Sequence, residues 1–191
     1  MIDVLLAVLT KLVALFELNR ERKRRIFEDY IDPIFSDLTA IDGDYRQGIM
    51  SIRDMLVDPD LPNNEVYSRA YRVKTELDPL RKKVTALARV LQAHSRSMGG
   101  SWPSEAHQFL ECTWRYFNVS VDTSWLAQQI AQGQPCSAYT SLLAVLSTFC
   151  DGKIGRKEAR RGCDNVLGAL EGRWSALMEA YAKARVRCLS G

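Results

Sequence analysis

Histidine is nearly missing from this chain: His94 and His107 are the two among 191 residues. That scarcity rules out a multi-histidine metal site, and no H-E-x-x-H motif, P-loop, G-x-S-x-G elbow or dinucleotide fingerprint occurs. Cysteine is limited to five residues, an odd number with no C-x-x-C pair, which argues against both a disulfide framework and a thiolate zinc site. A reducing, intracellular setting fits that usage. Cys112 and Cys150 fall in helix-like stretches and Cys163 and Cys188 on an apolar seam, so they read as small core residues and not as reactive thiols. The acidic pairs Asp29 with Asp32 and Asp42 with Asp44 read as solvated helix-face residues before hard-cation ligands. The excess of positive charge is also small, a formal net of +3, too little to mark a nucleic-acid binder by itself. Strand patterns and sequence-level repeats are absent, and no basic leader or small-residue cleavage pattern follows Met1, so no cleavable signal peptide is expected. The expectation is a protein with no cofactor and no metal.

What is present is helical rhythm. Val66, Ala70, Val73, Leu77, Leu80, Val84, Leu87, Leu91, His94 and Met98 recur in alternating steps of four and three, the spacing of a helix laying one seam against a partner. A second seam runs through Ile31, Ile34, Leu38, Ile41, Tyr45 and Ile52, with Gly48 filling a step. A third runs through Cys163, Leu167, Leu170, Trp174, Leu177, Tyr181, Ala184 and Cys188. With 47% hydrophobic residues the chain can bury a substantial core. The fold class expected is all-α, an elongated helical bundle of long kinked antiparallel helices with a shorter-helix C-terminal half.

Punctuation divides the chain. Asp32-Pro33 and Asp78-Pro79 fall within seams that stay in step across them, so each predicts a kink or restart and not a loop. The run from Asp58 to Asn64, with Pro59 and Pro62, is the clearest break in the first half. Gly99-Gly100-Ser101 closes the long-helix region, 1–98, and Trp102-Pro103-Ser104 opens a helix carrying Phe109, Leu110, Trp114 and Phe117 at the head of the C-terminal region, 99–191. Within that region Asp122, Thr123 or Ser124 caps a short helix with Trp125, Leu126 and Ile130, ended by Gly133 and Pro135. Ser137 to Cys150 forms another, Asp151-Gly152 turns, and the last long helix begins near Gly155 or Arg156. Gly168 and Gly172, four apart inside it, predict a close helix contact, because glycine in a helix interior is otherwise unfavourable.

The strongest functional clue is Ile2 to Leu18, whose apolar residues spread over most of a helical circumference and leave Asp3, Thr10, Lys11 and Glu17 in a narrow polar strip. Ile2, Leu5, Leu6, Leu9, Leu12, Val13 and Phe16 are the candidate interaction residues. A basic collar follows, formed by Arg20, Arg22, Lys23, Arg24 and Arg25 and interrupted by Glu21. As a helix the apolar stretch would span about 25 Å, short of the ~30 Å hydrocarbon core, with Lys11 near its middle. Burial against protein, insertion at the inner face of a membrane, and nucleic-acid contact through the collar all compete for it. Protein burial leads, since such a helix has more apolar surface than one neighbour covers.

Arg89-Val90-Leu91-Gln92-Ala93-His94 resembles the R-x4-H motif of the HEPN ribonucleases, all-α proteins in which the arginine and histidine act on RNA across a dimer. The resemblance implies an alternative in which His94 transfers a proton and Arg89 stabilises phosphate charge. Arg156, Lys157, Arg160 and Arg161 form a second basic cluster, and with the collar it offers phosphates a track, although Glu17, Glu21, Glu28, Asp29 and Glu158 dilute both fields. The expectation is a cytoplasmic, noncatalytic helical interaction protein, an accessory or oligomerisation subunit that meets a protein partner or its own copy. A membrane-anchored adaptor is the other alternative.

Overall fold

The computed structural model describes residues 20–97, 102–118 and 138–190, with backbone alone for 94–97, 118, 138 and 139. The described residues contain helices and turns and no strand. The all-α class is thus the class of the protein. Residues 20–26 are helical and pass through a π turn, Phe27–Ile31, into α1, Asp32–Met55. Then come α2, Asn63–Ser97; α3, Ser104–Asn118; α4, Ala138–Cys150; and α5, Arg156–Leu189. None of the described helices is long and apolar enough to cross a membrane.

The π turn has an identifiable cause. Pro33 offers no N–H to the carbonyl four residues back and its ring would strike that group, and widening the turn relieves the clash. The Asp32 N–H reaches five residues back, to the Phe27 carbonyl, so the helix crosses Asp32-Pro33 without breaking. At Asp78-Pro79 α2 is likewise uninterrupted, with Pro79 inside it. The break expected between Asp58 and Asn64 is a turn in which Asp58 Oδ1 accepts the Asp60 N–H at 3.0 Å. Lys83, late in α2, meets Asp37, early in α1, at 3.4 Å, as in an antiparallel pair.

All six side-chain positions of the second seam, from Ile31 to Ile52, are buried, joined by Ile49 and Leu56. The first seam is buried at Val66, Ala70, Val73, Leu77, Val84 and Leu91, but it departs from expectation at one step: Leu87 is 38% exposed and Ala88 is 1% exposed. Ala88 stands four residues after Val84 and three before Leu91, so it fits the same four-and-three rhythm as Leu87 and takes the inward step in its place. His94 and Met98 have side chains outside the described set.

α1, α3 and α4 each pack against both long helices, α2 and α5. Tyr181 of α5 sits at the centre of an aromatic cluster, stacked on Phe35 at 3.8 Å and packed near Phe27 and Phe109. Its hydroxyl donates to Asp32 at 2.6 Å, which ties α5 to the start of α1. The α4–α5 connection needs a left-handed residue and has Gly152 there, at φ 70°. The Lys153 N–H returns to Thr148 O and the Gly152 N–H to Phe149 O, a Schellman closure. The close approach expected at Gly168 and Gly172 is not made; both are exposed, with open space where a Cβ would stand. It is made one turn and a half earlier: a Cβ on Gly162 would lie 2.6 Å from Val145 Cγ1, so α4 and α5 touch there.

Candidate functional site

The apolar segment and its proposed interaction residues, Ile2, Leu5, Leu6, Leu9, Leu12, Val13 and Phe16, lie outside the described residues, as do the short helix expected around Trp125 and Cys136. The collar is described. Residues 20–26 are one helix, with Ile26 and Phe27 buried directly behind the charges. Arg24 Nε binds Glu28 at 2.7 Å and Arg25 binds Glu21 at 2.5 Å, so two of the five collar cations are neutralised along their own helix. Arg20 and Arg24 border a groove of about 540 Å³ that reaches Cys188 and Leu189 at the end of α5. On the other side Lys23 and Arg187 approach Glu105; its carboxyl is held below the usual range first by its own backbone N–H, then by the Ser104 hydroxyl and those two cations.

Arg89 is exposed on α2 and lies over the Trp114 ring at 5.9 Å. The groove beside it, about 550 Å³, is lined by Arg81, Lys82, Thr85, Ala86, Arg89 and Val90 of the same helix. The backbone of His94 is helical and its side chain lies outside the described set, so the Arg89–His94 arrangement does too.

One acid of each pair is engaged in structure, and Asp42 is buried where the sequence reads as a solvated helix face. Asp32 receives the Tyr181 hydroxyl, and Asp42, 6% exposed, receives Tyr116 at 2.6 Å and Arg46 at 2.7 Å. Among the described residues no group of three or more metal-ligating side chains converges. Burial pushes the Cys163 thiol up to about 12 and the Cys188 thiol up to about 11, far from the thiolate range, and the Cys150 thiol donates to Asn63 O at 3.2 Å. These are the properties of packed core sulfurs.

The second basic cluster stands apart. Arg156, Lys157, Arg160 and Arg161 line a groove of about 690 Å³ with Leu56 and Val57 of the α1–α2 turn. Arg156 Nη2 donates to Leu61 O at 2.5 Å and to Pro59 O and Asn63 Oδ1 at 3.3 Å. Spacing alone did not reveal that Arg156 clamps a turn some 95 positions away. The Asp42–Arg46 pair was visible as an i, i+4 spacing next to buried Ile41; its link to Tyr116 was not.

Comparison with protein-family models, with curated proteins and with solved structures finds no match.

Proposed function

We propose that the protein is a noncatalytic, cytoplasmic helical interaction subunit of a larger assembly, docking through the apolar segment Ile2 to Leu18. The observation that carries this reading is the seat of the collar helix. Ile26, Phe27 and Ile31 root it in the core directly after the charged residues, so whatever precedes Arg20 is attached to a fixed stem. Arg24 and Arg25 are paired within that stem, which lowers the collar charge beside the apolar side chains offered to a partner. At ~25 cal/mol per Å² of apolar surface, even partial covering of such a segment stabilises a complex. The remaining collar charge sets orientation.

Light scattering on the purified full-length chain and on a variant lacking residues 1–18 tests this. The expected result is a discrete multimer for the full chain and a folded monomer, with unchanged helical circular dichroism, for the truncated one. The same assembly in both proteins overturns the reading; extraction that requires detergent transfers it to the membrane-anchored adaptor. Degradation of RNA that disappears in His94→Ala replaces it with the ribonuclease alternative.

A further inference from the structure

The two basic clusters differ in one physical respect: two collar cations are ion-paired along their own helix, whereas no ion pair among the described residues involves Lys157, Arg160 or Arg161. Arg156, Lys157, Arg160 and Arg161 fall at i, i+1, i+4 and i+5, on one side of the first two turns of α5. Two acids, Glu158 and Asp164, also line the groove and leave it with a net charge of +2, four cations against two carboxylates. Glu158 accepts the Gly155 N–H at 3.1 Å, and Asp164 is paired with Arg53 at 3.5 Å. Among the described residues no ion pair involves Lys157, Arg160 or Arg161, all of them exposed. Arg156 directs Nη2 at neutral oxygens of the α1–α2 turn and has Nη1 buried, so it adds positive charge to the local field while its donors face the protein.

This placement opposes the folding of the free protein. A helix N-terminus is the positive end of the macrodipole, and cations there are unfavourable. Arg156 with Arg160 and Lys157 with Arg161 add two like-charge pairs at i, i+4 spacing. A bound anion relieves both effects at once. Arginine forks suit phosphate oxygens in particular. Leu56 and Val57 are the apolar lining residues of the groove and, among the described residues, no aromatic ring lines it, so it has neither the broad apolar face a lipid surface requires nor a stacking platform for unpaired bases. From charge complementarity we infer that this groove docks the phosphate backbone of double-stranded nucleic acid, without reading its sequence.

The test is fluorescence anisotropy of a short mixed-sequence DNA duplex titrated with the full chain. Three phosphate contacts, from Lys157, Arg160 and Arg161, give a log–log salt slope near −2.7, about a fortyfold loss of affinity between ~50 and ~200 mM salt. The triple variant K157Q/R160Q/R161Q, altered at exposed positions, is expected to bind at least tenfold more weakly at low salt, with a slope falling to near zero. Its thermal midpoint in low salt should be equal to or above that of the parent. The charge-matched collar variant R20Q/R24Q/R25Q should keep the parent's slope. Absence of binding at low salt, or a triple variant that binds like the parent, overturns the inference. So does tighter binding to phosphatidylserine vesicles or to polyglutamate than to the duplex, which assigns the groove to a membrane or to an acidic protein.

Discussion

The Tyr116 hydroxyl donates to Asp42 Oδ1 at 2.6 Å, joining α3 to α1 across 74 positions of sequence inside the core. Asp42 Oδ2 receives Arg46 at 2.7 Å, so both oxygens of the carboxylate are satisfied, and the Arg173 guanidinium donates to the Tyr116 carbonyl from α5. A charge-assisted bond of this kind contributes about 1.5–3 kcal/mol, and removing one member leaves the other desolvated. Tyr116→Phe should therefore lower unfolding stability by about 2 kcal/mol in urea titrations. A cycle with Asp42→Asn should show coupling well above the few tenths expected of independent sites. Additive effects would mean that the bond contributes little.

Alkaline pH should attack the same region. Burial, then the Asp42 bond, pushes the Tyr116 phenol far above its ordinary range, and burial pushes Tyr45 up to about 12. Both phenols are held neutral in the folded protein, whereas the unfolded chain ionises them near pH 10. The folded state then binds more protons than the unfolded one above that pH. The stability is fully present below pH ~10 and is lost as pH climbs through the folded values, by roughly 1.4 kcal/mol per pH unit for each tyrosine. Urea midpoints measured from neutral pH upward should be level and then fall, with a shallower fall in Tyr116→Phe. An identical fall in the two proteins would count against this assignment.

Three glycines of α5 should answer differently to alanine. At Gly162 the new methyl meets Val145 Cγ1 at 2.6 Å, and overpacking of this sort costs about 1–3 kcal/mol. At Gly168 and Gly172 it meets nothing within 4 Å, so the helix propensity of alanine should act unopposed and stabilise by up to ~1 kcal/mol each. Thermal midpoints should fall for Gly162→Ala and rise for the other two, and Val145→Ala should partly rescue the first. A common sign for all three would contradict the packing.

Local periodicity made the helices legible, while choices made by neighbours stayed hidden. The buried positions from Ile31 to Leu56 repeat at helical spacing, and the turn at 58–62 is written in Pro59 and Pro62. Either Leu87 or Ala88 bridges Val84 and Leu91 in steps of three and four, and spacing alone does not choose between them. Gly168 and Gly172 have the spacing of a helix contact, yet Val145 stands opposite Gly162. Charge behaved likewise. The pairing of Arg24 with Glu28 follows from i, i+4 spacing, but that Glu158, beside its basic neighbours in the groove, accepts the Gly155 N–H does not. No sequence pattern reports which acceptor a carboxylate will choose.

Arg156 supplies a test of how the α1–α2 turn is held. Its Nη2 reaches the Leu61 carbonyl at 2.5 Å and two further oxygens, while its guanidinium lies over the Phe149 ring at 5.5 Å. Methionine would keep much of the apolar stem and remove every donor, leaving the carbonyl of half-buried Leu61 without its partner. Loss of about 1–3 kcal/mol is expected for Arg156→Met. Lysine, a single point donor in place of a planar fork, should recover only part of it. Faster amide exchange should appear first at Asn64 to Val66, where α2 begins, before any global opening. If Arg156→Met exchanged and unfolded like the parent, the turn would have to be fixed by Pro59, Pro62 and the Asp58–Asp60 bond alone.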